Sequence, residues 1–121
     1  VDKHVSEVSR IPEIRLKMTN LQRNIVKKNF IVVGRDIGSV VLPNAELKIF
    51  LTASIKERAK RRFNERKNEN LDEIENSIKK RDLIDSTRKV APLTIPEKAF
   101  VIDTENKNID TVCKEIIKMA K

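Results

Sequence analysis

Three short apolar runs constrain the fold of this chain more than any other feature. They are FIVV (Phe30 to Val33), LKIFLTA (Leu47 to Ala53) and AFVID (Ala99 to Asp103). Segments of helical period precede the first run, separate the second from the third, and follow the third. Continuous apolar runs of this length suit strands buried on both faces, and strands alternating with helices suit a parallel sheet covered by helices. The sequence therefore predicts an α/β protein, a parallel sheet flanked by helices, in one domain of 121 residues. In such sheets ligands bind beyond the carboxyl ends of the strands.

The helical segments carry their own signals. SEVSR opens with a short helical piece, and Pro12 then stands at a first helical position, with Ile14, Met18, Leu21 and Ile25 following as one apolar stripe. SVVL is apolar but is stopped by Pro43 and stays ambiguous. Ser54 begins SIKE, a capping-box pattern, so a helix is expected from there, burying Ile55 and Ala59 with Phe63 as a further core candidate. The polar stretch NERKNEN reads as a mobile segment or a helix break. Leu71, Ile74 and Ile78 resume helical spacing, and VAPLTIPEK reads as a loop. In the last helix Ile109, Val112, Cys113, Ile116 and Ala120 share one face. The single cysteine is therefore expected to be a buried structural thiol, consistent with a reducing cytoplasm.

Charge narrows the partners. The net charge is +8, which favours ligands bearing phosphate. There is no Trp or Tyr and only four Phe, so platforms for stacking single-stranded nucleic acid are nearly absent. No apolar run approaches the length of a membrane span, and the first residues lack the apolar core of a signal peptide. No metal-ligand spacing is present, and His4 has no second His or Cys nearby.

Four constellations could carry chemistry. Both glycines of the chain, Gly34 and Gly38, flank Arg35-Asp36 directly after FIVV, where a ligand is expected. That pair reads as an anion clamp beside a hydrogen-bond acceptor, or as a turn with a surface ion pair. In KRDLIDSTR, Arg81, Asp85 and Arg88 fall at i, i+4 and i+7, so one helical face alternates plus, minus, plus; the plain reading is helix-stabilising pairs. In ERAKRRFNERK, Arg58, Arg61 and Arg62 read either as a solvated basic face or as phosphate-binding arginines on a movable flap. Ser6 and Arg15 mean little alone, and Ser6 could simply cap a helix.

Taken together these residues are specific. GRDIGSVVLPNAELKIFLTASIKERAKRR, followed by IKKRDLIDSTRKVAPL, closely resembles bacterial cytidylate kinase, a nucleoside monophosphate kinase family, and VSEVSRIPEIR resembles the family's segment just upstream. The resemblance implies a transferase that moves the ATP γ-phosphoryl group to CMP or dCMP with Mg²⁺. It implies that Ser6, Arg15 and Asp36 recognise cytosine, that Arg35 and Arg88 hold the CMP phosphate, and that Arg81 and Asp85 bind the sugar hydroxyls. Asp36 would accept from the C4 amino group, as carboxylates do from cytosine in DNA. Arg58, Arg61 and Arg62 match the start of a lid over ATP, around residues 58–80; which of them reaches phosphate stays open.

One departure stands out. The family's P-loop, G-x-x-x-x-G-K-[ST], has no counterpart here, because both glycines belong to GRDIG and neither precedes a lysine. The resemblance thus implies the C-terminal part of a single kinase domain, a partial P-loop kinase fold missing its first strand and inactive by itself. ATP and Mg²⁺ would be held mainly by the missing part. In the family that strand lies between those matching FIVV and LKIFLTA, so its loss leaves a gap of about 10 Å and unpaired backbone groups. Another polypeptide supplies it, or the real molecule is longer, or the strands re-pair. The alternative function is a basic, non-catalytic nucleic-acid-binding module on the same scaffold.

Overall fold

A computed structural model describes residues 4–66 and 69–121. The chain divides into two compact units, one of Val1–Glu46 with Arg81–Glu97, the other of Leu47–Lys80 with Lys98–Lys121.

The first unit opens with α1 (Val5–Ser9) and α2 (Pro12–Ile25). Pro12 occupies the first turn of α2, where its missing N–H and fixed φ cost nothing. Ser6 lies inside α1, whose N-cap position is His4, so it does not cap that helix; its side chain lies outside the described residues. The apolar stripe of α2 is where expected by spacing but not by burial: Ile14, Met18, Leu21 and Ile25 are exposed. The buried residue of this helix is Thr19, on the face that also carries Arg15. After α2, Asn29 takes a left-handed φ of 65°, a conformation Asn tolerates, and turns the chain into FIVV.

FIVV itself is not a strand. Phe30 to Val33 forms no ladder, and Ile31 and Val33 are 95% and 92% exposed. A strand exists only by pairing, and among the described residues nothing pairs with it. Beyond Gly34 the chain winds into a single π-helical turn, Ile37–Val41, in which the Val41 and Leu42 N–H groups reach back five residues to Asp36 O (3.2 Å) and Ile37 O (2.7 Å). Thus SVVL, ambiguous in sequence, is neither strand nor α-helix. Ile37 and Val41 are buried. Arg23 of α2 donates to Val41 O (2.8 Å) and Val40 O (2.7 Å), tying the helix to the end of the turn.

The second unit holds β1 (Ile49–Thr52), α3 (Ile55–Glu65), β2 (Phe100–Asp103) and α5 (Ile109–Ala120). β1 and β2 pair in parallel, Ile49 opposite Phe100 and Thr52 opposite Asp103, so the other two apolar runs do form the expected parallel sheet, each slightly shortened. α4 (Leu71–Thr87) contributes its residues up to Lys80 to this unit and the remainder to the first. Ala59, Ile74 and Ile78 form the buried cluster with Ile55 against it, as the spacing predicts, while Phe63 is exposed.

The start of α3 is half a capping box. Ser54 Oγ accepts from the Glu57 N–H (3.1 Å), but the Ser54 N–H goes to Glu105 (2.9 Å). Glu57 instead meets Arg61 Nε (2.8 Å), a partner one turn along its own helix. The polar break is real to the extent that α3 ends at Glu65 and α4 begins at Leu71; Lys67 and Asn68 lie outside the described residues. α5 is capped by Asn108, which accepts from the Thr111 N–H (2.8 Å). It buries no residue, and Cys113 is an exposed free thiol rather than the buried one expected. Its apolar face has the right period, but no element of the unit fully covers it.

Candidate functional site

The site lies in the first unit, and Asp85 is its hub. This carboxylate sits on the last turns of α4 with its side chain 3% exposed. Its Oδ1 accepts from Arg88 Nη1 at 3.0 Å. Its Oδ2 lies 2.7 Å from Arg35 Nε, an ionic contact without hydrogen-bond geometry, and 3.8 Å from Arg81 Nε. The i, i+4, i+7 pattern has therefore produced one buried acid facing two cations of its own segment and a third from the GRDIG loop. Arg35 is held a second time, by Asp82. Ion pairs in such positions are far from the exposed helix pairs of the plain reading.

Asp36 pairs with Arg15 rather than with its neighbour Arg35. Arg15 Nη2 donates to Asp36 Oδ2 at 3.0 Å, and both side chains are nearly buried. Gly34 makes this loop possible by its size. No glycine here has a positive φ; instead a Cβ at Gly34 would stand 2.7 Å from Ile37 Cγ1. The glycine lets the buried Ile37 fold back against the backbone, which carries Asp36 toward α2.

Arg88 completes the set. Its side chain is 3% exposed, its Nε donates to Ala91 O at 2.5 Å, and its Nη2 is buried without a hydrogen-bond partner. Burial pushes the Arg88 guanidinium below its usual pKa; the positive charge of Arg15 and more weakly Arg35 adds to this, and Asp85 and Asp36 oppose it. Of these groups Asp85 is in direct contact with Arg88. Arg15 Nε and Arg81 Nε are likewise buried without a hydrogen bond. A cluster of four guanidinium groups and three carboxylates, with buried N–H groups left over, is an arrangement short of one anion.

Of the residues singled out in the sequence, the structure thus brings together Arg15, Arg35, Asp36, Arg81, Asp85 and Arg88. Arg58, Arg61 and Arg62 belong to the second unit. Arg61 there bridges Glu57 and Thr104, donating to Thr104 Oγ1 (3.0 Å) and Thr104 O (2.6 Å) at the end of β2. Arg58 Nε donates to Ala53 O at 3.2 Å. Two contributors were not singled out. Asp82 was signalled by its place three residues before Asp85, and Arg23 by lying two turns beyond Arg15 on α2. Among the described residues no three His, Cys, Asp or Glu side chains converge to hold a metal ion. Nor is any described helix long and apolar enough to cross a membrane.

A small parallel sheet with flanking helices is an α/β arrangement that fits part of a nucleotide kinase fold. The particular family follows from comparison: the cytidylate kinase family model matches residues 1–121, and the chain belongs to that family. It is 49% identical to a cytidylate kinase of Pseudothermotoga lettingae over 98% of this chain and 55% of that protein. It is 48% identical to one from Caldanaerobacter subterraneus subsp. tengcongensis over 96% of this chain and 54% of that protein, and 46% identical to one from Caldicellulosiruptor saccharolyticus over 98% and 55%. The chain thus spans about 55% of the length of these relatives. They give no support to the alternative of a nucleic-acid-binding module.

Proposed function

We propose that this chain carries the CMP-gripping part of a cytidylate kinase, an enzyme passing the γ-phosphoryl group of ATP to CMP or dCMP. The observation that carries the reading is the buried Arg88, with one nitrogen unpartnered among like-charged neighbours. Arg35 and Arg88 then take the nucleotide phosphate. Arg81 and Asp85 are assigned the sugar hydroxyls, and Asp36, oriented by Arg15, accepts from the C4 amino group of cytosine while Arg15 and Ser6 are assigned the rest of its edge. Uracil offers a carbonyl at C4, so its lone pairs would oppose those of Asp36, and a site built for a donor rejects it strongly.

ATP supplies the phosphoryl group, and Arg58, Arg61 and Arg62 are assigned to a lid over it around residues 58–80. Mg²⁺ is assigned mainly to the P-loop part that this sequence lacks, and among the described residues no three carboxylates form a ligand set, so no step is assigned to it here. The sequence contains no G-x-x-x-x-G-K-[ST] segment, and the chain alone is expected to release no ADP from ATP and CMP. A P-loop segment of a cytidylate kinase, added in trans, is the partner that would complete it. Titration calorimetry of the chain with CMP and UMP tests the base assignment. CMP should bind at least about tenfold more tightly, and Asp36→Asn should erase most of that preference. Equal affinity for the two nucleotides would defeat the reading.

A further inference from the structure

Ala91 has a φ of 51°, in the left-handed region, and the residue after it is Pro92. Alanine enters that region only against the clash of its Cβ with the following carbonyl, and a proline next in sequence steers the preceding residue toward extended conformations. Backbone held against two such preferences is kept by its surroundings and tends to serve a site. What this conformation accomplishes is visible at Arg88. The Ala91 carbonyl accepts from Arg88 Nε at 2.5 Å, while Asp85 Oδ1 takes Arg88 Nη1 at 3.0 Å. The Leu93 N–H closes onto Asp85 O at 2.7 Å, fastening the turn to the end of α4. Two of the three guanidinium nitrogens are thereby fixed, and the third, Nη2, is buried with no partner.

We infer that the Ala91-Pro92 turn is a positioning device: its strained carbonyl sets the plane of the Arg88 guanidinium so that Nη2 alone is kept without a protein partner, for phosphate. The inference deepens the reading above and rests on its assignment of phosphate to Arg88. Pre-set geometry of this kind raises affinity by removing the ordering of a long side chain from the binding step.

The test uses the full chain, with CMP, cytidine and inorganic phosphate as ligands and NMR exchange of arginine Nε–H protons as an independent readout. In the unaltered chain the Arg88 Nε–H should exchange far more slowly than that of the exposed Arg10, a measurement that needs no variant. Ala91→Val places a β-branched side chain where φ must be positive and should turn the carbonyl away. CMP affinity should then fall about tenfold or more, the loss expected for a hydrogen bond to a charged group, while cytidine affinity is unchanged and Arg88 Nε–H exchange quickens. Ala91→Gly, which accepts positive φ without strain, should keep both the CMP preference and the slow exchange. Should Ala91→Val fail to fold, the exchange rate in the unaltered chain and the behaviour of Ala91→Gly decide. Fast Arg88 Nε–H exchange in the unaltered chain, or a CMP preference over cytidine that survives Ala91→Val, overturns the role of the turn alone. No preference for CMP over cytidine in the unaltered chain overturns the assignment of phosphate to Arg88 and this inference with it.

Discussion

A buried carboxylate facing three guanidinium groups, as Asp85 does, cannot be understood as a helix-stabilising pair partner. Its exposure is too low and its partners too many. Removing water from such a group weakens its hydration and strengthens every interaction it makes, so Asp85 fixes Arg88 and restrains Arg35 at once. The consequence falls on Arg88. Folding lowers its pKa, mainly through burial, so its charged form is the penalised one. For a base the penalty is present at every pH below the lowered value and fades only as pH rises through it, and a guanidinium keeps its proton throughout the neutral range. Across the neutral range Arg88 is therefore charged and under-compensated, and an added anion relieves it in proportion to its charge. A nucleotide monophosphate gains its second charge at about pH 6. CMP affinity should accordingly rise between about pH 5 and 7, while cytidine affinity stays level. Parallel pH profiles for the two ligands in calorimetry would contradict the account.

Among the elements, the loop from Gly34 through the π-helical turn shows where local chemistry decides. Only at glycine can the backbone accept Ile37 at this distance, since a Cβ would lie 2.7 Å from Ile37 Cγ1. Gly34→Ala must push Ile37 out of its buried place or move the loop, costing about 1–3 kcal/mol as overpacking does. Because Asp36 lies between them, CMP binding should weaken with stability; urea unfolding together with calorimetry would show both, and an unchanged midpoint would refute the clash. Two neighbouring glycines and an Arg-Asp pair made this loop conspicuous in the sequence, but its shape was not legible. Glycine suggests positive φ, whereas here it supplies space. Helices and their starts were better predicted, since Pro12 and Ser54 act within one turn of chain. What acts over longer reach was not. Glu105 displaces Glu57 at the α3 cap, 51 residues away from Ser54, and Arg35 meets Asp82 across 47. The apolar period of α2 and α5 was read correctly as helix, but the burial expected of Cys113 on α5 was wrong, because period records a face and not what covers it. Of the six clustered site residues, Arg35 and Asp36 stood out between their glycines after an apolar run and Arg81, Asp85 and Arg88 through helical spacing; only Arg15 needed the resemblance to a family.

At the scale of the whole molecule, the described structure leaves apolar backbone open in two places. Phe30 to Val33 is apolar and largely exposed, yet pairs with nothing described. β1 pairs only with β2, in a two-stranded parallel sheet with Leu51, Phe100 and Val101 exposed. Parallel strands are normally buried on both faces within larger sheets, because each strand alone satisfies only part of its backbone. Each would be satisfied by pairing with a further strand, and the chain spans only about 55% of its relatives' length. The proposal that a P-loop segment completes the kinase then makes a prediction that needs no turnover. In the chain alone, the Ile31 and Val33 amides should exchange with solvent at nearly the rate of an unstructured peptide, while the Phe100 N–H, bonded to Lys48 O at 2.9 Å, is protected. Adding the P-loop segment of a cytidylate kinase should slow exchange at Ile31 and Val33 by orders of magnitude, and restore ADP release with CMP. Protection of Ile31 and Val33 before any segment is added would mean that the chain already pairs this run, and the proposed completion would lose its physical basis.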